Sequence, residues 1–521
     1  MKNSENKLSS LMQGAMLLSI ASLISKVLSA FYRVPFQNLV GNVGFYIYQQ
    51  VYPIYGIGMT LALTGLPIFI SRVIAEQDSQ MNKKALLRQI LITLSCFGFI
   101  IFIALQISAF QIARLMGDPN LVGIIQAVSW MFLFMPFLAS FRGYFQAILF
   151  MKPTAYSQVI EQLMRVSVIL LAAYIGFINH LSPYTVGKYA MLAVPIAEAF
   201  SLAILLMYYR KNIGKLPNIK QMAYPNLTKQ LLLEGGTLCL LASIMVLLQL
   251  VDSFTVRKGL VLSGLSVIDS QVSKGIYDRG QTLVQLGLVF ATSFSTAILP
   301  SLSQAYKKKA YDSFNGIANE MMRVSIFLTV AITAGMISLM PMINQLLFNS
   351  QTESHTLSVY CFSILITTII TIYSSILQSV DQFKIAAFSI MAGLLLKLII
   401  TEFLTSKIGI MGASISTIIS LFFVLILELY FSKFKLKMNN KLSFTIKLML
   451  NAMIMVIMEF WLSNIVIKHI PFNNFRLKAL IVLLILIPIG ALSFIFVAQK
   501  INILSDEEWK SVPIINKFIN R

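Results

Sequence analysis

Charge is scarce in this chain of 521 residues. Only 12% are Asp, Glu, Lys or Arg, about half of the ~25% usual in soluble domains. That excludes the string of water-soluble domains its length would otherwise suggest. Cysteine and histidine occur three times each. Cys96, Cys239 and Cys361 lie far apart inside apolar runs, with no CxxC and no Cys/His cluster, so neither a disulfide framework nor a zinc site is suggested. His180, His355 and His469 fall between apolar runs without metal-ligand spacing. There is no Walker-type phosphate loop, no long polar segment and no cluster of histidine with carboxylates, so the chain does not read as an enzyme and needs no organic cofactor. Acidic residues are also few, 20 against 41 Lys and Arg, giving a formal net charge of +21. Most of the basic residues sit between apolar runs. That pattern fits the positive-inside bias of a membrane protein rather than nucleic-acid binding.

What the chain has in abundance is apolar sequence. Hydrophobic residues make up 57% of it, in runs of about twenty, the length that crosses a bilayer as helix. The runs predict an all-α, polytopic membrane protein with about fourteen spans: 12–33, 44–73, 85–113, 121–149, 155–178, 187–210, 231–256, 276–303, 320–348, 356–382, 384–404, 410–432, 443–467 and 478–499. The N-terminal stretch could pass for a signal peptide, but it contains Lys26 and runs on to Arg33-Val34-Pro35; we read it as a retained first helix. Basic residues gather on alternate loops (Lys83, Lys84 and Arg88; Arg210, Lys211, Lys215 and Lys220; Lys307 to Lys309; Lys433, Lys435, Lys437 and Lys441) and at both ends of the chain. An even number of spans with both termini cytoplasmic fits that asymmetry.

Part of the sequence recurs. Gln146, Lys152, Ala155, Ser157, Leu163 and Arg165 return as Gln378, Lys384, Ala387, Ser389, Leu395 and Lys397, each shifted by the same interval (378 − 146 = 232; 397 − 165 = 232). Ser71 and Ser303 share the interval. The fourth and fifth spans therefore match the tenth and eleventh. Six spans separate the copies, an even number, so both halves have one orientation, an arrangement used by transporters. The expected organisation is a six-helix lobe over 1–215, a second over 230–435, two further helices over 443–499 and a cytoplasmic tail over 500–521.

Ionisable side chains inside the spans are costly and usually face a cavity or a partner. The candidates are Lys26, Arg33, Arg142, Glu161, Arg165, Glu198, Asp252, Asp278, Arg279, Asp381, Lys397, Glu402 and Glu459; those near span ends can instead snorkel to the interface. Lys26 and Arg33 are seven residues apart, about two helical turns, so both are expected on one face, near Ser22, Ser25 and Ser29, lining an aqueous cavity. Asp278-Arg279 reads either as an interfacial salt bridge or as a guanidinium aimed at a phosphate. Glu161 and Arg165, at i and i+4, are expected to pair with each other. Asp252 either helps to hold a cation or caps a helix end.

The segments Phe31-Tyr32-Arg33-Val34-Pro35-Phe36, Leu39-Val40-Gly41, Tyr48-Gln49, Tyr52-Pro53-Ile54-Tyr55, Gly65-Leu66-Pro67-Ile68, Gln158-Val159-Ile160-Glu161-Gln162, Arg165-Val166 and Tyr277-Asp278-Arg279-Gly280-Gln281 resemble the multidrug/oligosaccharidyl-lipid/polysaccharide exporter superfamily. Within it they resemble the stage V sporulation protein B group of polysaccharide-biosynthesis proteins, relatives of the MurJ lipid II flippases. The resemblance implies two lobes in a V around a cavity lined by cations of the first and eighth helices, here Lys26, Arg33 and Arg279, and a groove for a polyprenyl tail at the last two helices. It implies as cargo an anionic lipid-linked glycan such as lipid II, carried by alternating access, with membrane lipids and cell-wall synthesis proteins as partners. Glu161, Arg165 and Lys397 would support the cavity. Sodium or proton coupling would point to Asp252 and Asp381. The acidic residue that MurJ-type proteins carry early in the second helix is replaced here by the surroundings of Tyr48 and Gln49. Three rival readings are an exporter of another wall or capsule oligosaccharide, a cation-coupled drug exporter and a non-transporting scaffold of wall or sporulation machinery. A cationic cavity argues against the drug exporter.

Overall fold

The computed structural model describes residues 2–212, 226–380, 382–432, 441–469 and 474–512; Asp381 lies outside them. Each expected span has a helical counterpart, and there is no strand among the described residues. The first is α1 (Lys2–Phe31). The second is α2 (Arg33–Thr60), continued through a π-helical turn, Leu61–Gly65, into α3 (Leu66–Ala75). Then follow α4 (Gln80–Leu115), α5 (Val122–Ser129) with α6 (Met131–Ala147), α7 (Met151–Ile178) and α8 (Pro183–Asn212). After α9 (Leu227–Gln230) come α10 (Gly236–Ala242), α11 (Ile244–Leu262), α12 (Val267–Lys307), α13 (Tyr311–Ser338) with α14 (Met340–Phe348), α15 (Ser354–Ser379), α16 (Phe383–Ile408), α17 (Ile410–Phe431), α18 (Lys441–His469), α19 (Phe475–Lys500) and the short α20 (Asp506–Ser511).

Among the described residues, eleven helical stretches are long and apolar enough to cross a membrane, or twelve with one bent pair. One of the eleven, Met16–Ala75, has 60 residues, about 90 Å of helix against a hydrocarbon core of ~30 Å, so it holds two of the expected crossings. The path is broken at Gly41, whose φ of 70° is a left-handed conformation that a side chain would oppose. The bent pair corrects the straight seventh span expected over 231–256: Leu227–Ala242 and Ile244–Leu262 meet at 78°. The break falls at Ser243, whose hydroxyl donates back to the Cys239 carbonyl at 2.6 Å. Large apolar side chains stand exposed along the helices, Ile107, Ile399 and Tyr430 each by more than 70%. A water-soluble monomer rarely shows so continuous an apolar surface. This is a multi-pass membrane protein.

The chain forms two compact units, Met1–Gly275 and Ile276–Arg521, with the boundary inside α12. In the first, α7 packs on α8 and α1, and α6 on α3 and α4, around a core rich in Tyr, Phe, Leu and Ile. In the second, α15 lies against α13 and α17, and α18 against α13 and α19. The recurrence seen in sequence extends to helix ends. Helix α6 ends at Ala147 and α15 at Ser379, while α7 starts at Met151 and α16 at Phe383; both intervals are 232 (379 − 147; 383 − 151).

A short helix follows α19. Helix α20 starts with a capping box, in which Ser505 and Glu508 exchange side-chain bonds with each other's backbone N–H. It docks on α13, with Trp509 edge-on to Phe327 and Glu508 paired with Arg323 at 2.5 Å.

Candidate substrate-binding site

The first unit buries two arginines among tyrosines. Tyr48, Tyr52 and Tyr55 recur at i, i+4 and i+7 on α2, one face of the helix, and Tyr32 reaches them from the position just before α2. The Tyr32 and Tyr48 hydroxyls bond at 2.8 Å. Arg33 is fully buried, with its guanidinium 4.3 Å from the centre of the Tyr52 ring. Arg165, from α7, lies 4.6 Å from the Tyr55 ring and 5.1 Å from that of Tyr32. Its Nη2 donates to Gln162 Oε1 at 2.6 Å and to Ser29 Oγ at 3.1 Å. All three guanidinium nitrogens of Arg33, and Nε and Nη1 of Arg165, make no hydrogen bond among the described residues. Cation–π contact offsets part of the cost of burying these charges, and the Tyr32 hydroxyl lies near the Arg33 guanidinium without an aligned hydrogen bond. The pair concentrates buried donors of the kind an anion with several oxygens engages.

Lys26 is exposed on α1, whereas Arg33 is buried. The backbone stays helical through Tyr32, whose N–H donates to the Leu28 carbonyl and whose carbonyl accepts from Phe36, so the difference lies in what packs on each side chain: the tyrosines cover Arg33 and not Lys26. The Glu161–Arg165 pair also needs correction. Glu161 pairs with Arg142 of α6, Nη2 to Oε2 at 2.6 Å, and both side chains are buried. Spacing on α7 puts residues 161 and 165 on one face, but each finds a better partner on a neighbouring helix: Glu161 a guanidinium, Arg165 the tyrosines.

A second polar knot, not anticipated from sequence, sits elsewhere in the first unit. Asp118, buried, accepts from Tyr184 at 2.8 Å, Tyr46 at 3.1 Å and Gln271 at 3.2 Å, while Arg257 donates to the Gly117 carbonyl. Asp252 is fully buried on α11, beside Ser253, whose carbonyl accepts from Gln50 at 2.5 Å. No group of three or more His, Cys, Asp or Glu that could hold a metal ion occurs among the described residues.

In the second unit Arg279, nearly buried on α12, donates to Asn344 Oδ1 at 3.1 Å and lies over the Phe348 ring at 5.2 Å. Asn344 is fixed in turn by donating to the Thr352 carbonyl at 3.0 Å. Lys397, the counterpart of Arg165, is fully buried on α16. Between α13, α15, α17 and α18 runs a groove of about 920 Å³, lined by apolar side chains such as Ile326, Val330, Phe362, Leu429, Phe444 and Leu448. Its length of apolar wall suits a hydrocarbon chain.

Comparison with known proteins gives the family and the fold. The family model described as polysaccharide biosynthesis protein matches residues 11–306. The chain is 34% identical over 516 residues to "Uncharacterized membrane protein YabM" of Bacillus subtilis (strain 168), covering 98% of this chain and 96% of that one. It is 26% identical over 436 residues to the "Lipid II flippase MurJ" of the same organism, covering 78% and 80%. Its fold is similar to a solved structure of a lipid II flippase MurJ in an inward closed conformation, with a TM-score of 0.65, 16% identity and coverage of 93% and 98%.

Proposed function

The chain belongs to the polysaccharide biosynthesis protein family, and from that membership we propose that it is a flippase for an undecaprenyl-pyrophosphate-linked glycan, lipid II or a related cell-wall precursor. It works by alternating access in the cytoplasmic membrane with both termini cytoplasmic. The observation that carries the reading is the set of buried guanidinium N–H groups without acceptors at Arg33 and Arg165. A diphosphate has the oxygens to fill them, and its charge must be compensated when it leaves water. Lys26, Arg33 and Arg279 are the cations assigned to the headgroup, and Arg165 joins them. Lys397 and the Glu161–Arg142 pair support the helices that carry them. The groove beside α18 is assigned to the polyprenyl tail, which stays out of water throughout. The work is binding and movement, with no bond made or broken.

The test is translocation of defined fluorescent polyprenyl-diphosphate glycans in proteoliposomes holding equal amounts of folded protein. The parent is expected to move them, and Lys26→Ala, Arg33→Ala and Arg279→Ala to lose most of that activity. Arg279→Lys, which keeps charge but loses the planar fork, is expected to retain part of it. If all three alanine variants transport like the parent, the cationic mechanism is wrong. If the parent moves none of the glycans, the cargo is.

A further inference from the structure

Each unit holds a buried cluster that has, among the described residues, one carboxyl group more than it has cations to match. In the first unit the cluster is Arg142, Glu161 and Glu198, from α6, α7 and α8. Arg142 Nη2 is engaged by Glu161 at 2.6 Å and Ser201 at 2.8 Å, Nε by Ser157 at 3.1 Å and Nη1 by the Ala62 carbonyl at 3.3 Å. Every nitrogen of the guanidinium is therefore used, and none of these bonds goes to Glu198. Glu198 is 2% exposed, and its Oε2 has no hydrogen-bond partner among the described residues. It faces Glu161 from α7 and Arg142 from α6. Helix α5 has no ionisable side chain, and from α2 Tyr55 faces Glu161.

In the second unit the position of Arg142 is Ser374 (142 + 232) and that of Glu161 is Gly393 (161 + 232). The cation and one carboxylate are gone together, yet a carboxyl remains. Glu428 on α17 is fully buried; Oε1 accepts from Ser374 at 2.6 Å, and Oε2 has no partner among the described residues. Tyr373 of α15 also faces it. On α16, Lys384 is exposed and Lys397 is buried; the side chain that acts on Glu428 among the described residues is the Ser374 hydroxyl, not a cation. With every acid ionised the first cluster would carry +1 − 2 = −1 and the second −1. The surplus is the same although the residues differ.

A carboxylate without a counter-ion inside a membrane protein is strongly disfavoured, and the neutral acid removes the cost. We propose that Glu198 and Glu428 are proton-binding sites, one in each unit, each holding its proton near neutral pH. The proton comes from water and returns to it; one O–H bond forms at the carboxyl on binding and breaks on release. A metal cation fits less well, because it needs several oxygen ligands and in the first unit would sit beside the Arg142 guanidinium. A proton needs one free oxygen, and each site has one.

The test uses the purified full-length protein in lipid nanodiscs near neutral pH. It compares the parent with Glu198→Gln, Glu428→Gln and the double variant by infrared spectroscopy. Glutamine has the shape of the neutral acid, so both variants are expected to fold. Each should lose part of the carbonyl absorption of protonated carboxyl groups, and the double variant both parts. Glu198→Asp should shift that absorption without removing it. Denaturation in weak buffer supplies a second readout: an unfolded glutamate ionises at this pH, so each glutamine variant should release about one proton fewer per chain than the parent. Equal acid absorption and equal proton release in all four proteins would overturn the proposal. So would conversion of the acid band to carboxylate on adding sodium, or failure of the glutamine variants to fold, since each would show that the anion is the native form. None of these measurements requires translocation, so this inference and the flippase reading fail separately.

Discussion

The two units solve one structural problem with different chemistry. At repeat-related positions the first has Arg142 and Glu161 and the second Ser374 and Gly393, while Arg165 and Lys397 keep a buried cation in both. The first unit holds its helices together with a charged network and a tyrosine cage. In the second, at the same level, α16 and α17 come close enough that a Cβ on Gly393 would run into the Val424 side chain. Hydroxyls replace the guanidinium, and the adjoining wall becomes an apolar groove. A repeat thus preserves where helices lie but not how they are fastened. The fastening differs: a charged network in one, hydroxyls and close helix packing in the other.

The comparison is broken most severely at Arg142. Arg142→Ala removes the cation paired with Glu161 and leaves two buried carboxyls behind; uncovering a buried charge costs about 3–5 kcal/mol. The variant is expected to unfold far below the parent in a thermal ramp in detergent, whereas Ser374→Ala should lose only the one hydroxyl bond to Glu428. Equal stability of the two variants would mean that the first unit does not depend on its charged network. Gly393→Ala tests the close approach in the second unit. Overpacking costs about 1–3 kcal/mol, so its melting temperature should fall clearly, and restoration by shortening the neighbour, Val424→Ala, would identify the clash.

How much of this was legible in the sequence depends on what fixes each feature. The spans could be read because apolar length is set by the bilayer, and the 232-residue interval reappeared in the helix ends because both copies keep the same loop between the paired helices. The partners of the charges could not. Spacing tells which residues share a face of one helix, and Glu161 with Arg165 satisfied that rule; the competing partner, Arg142, came from another helix through tertiary packing. The burial of Arg33 could not be read for a related reason, since the tyrosines that cover it are gathered by packing. Two signals were present and unused. Tyr48, Tyr52 and Tyr55 form a stripe at helical spacing. Glu428 stands alone in Leu425-Ile426-Leu427-Glu428-Leu429, a lone acid in an apolar run.

A smaller effect sharpens the tyrosine side of the comparison. Tyr48→Phe deletes the hydroxyl bonded to Tyr32 but keeps the ring that packs on Phe36 at 4.9 Å. A single neutral hydrogen bond contributes about 0.5–1.5 kcal/mol. The cage should therefore stay folded with a modest drop in melting temperature. A drop as large as that of Arg142→Ala would show that the hydroxyl pair, not the ring packing, holds Arg33 and Arg165 in place.

The weakest contact considered is the one between α20 and α13, and it separates fastening by charge from fastening by packing within the second unit itself. Arg323 and Glu508 are 17% and 12% exposed at their side chains, so their pairing is partly screened and contributes at most about 1 kcal/mol. Arg323 has two further holds: it donates to the Ile503 carbonyl at 2.8 Å and lies 4.3 Å from the Phe444 ring, which also lines the groove. Trp509 and Phe327 pack beside them. Glu508→Gln should therefore cost less than ~1 kcal/mol, with the difference from the parent shrinking in high salt as exposed charges are screened. Trp509→Ala should cost more and be indifferent to salt, because it removes buried ring contact. Melting curves of both variants at low and high salt decide the matter. If Glu508→Gln is the more damaging and the salt-sensitive one, the second unit too is fastened by charge, and the contrast between the units is confined to the interior positions of the repeat.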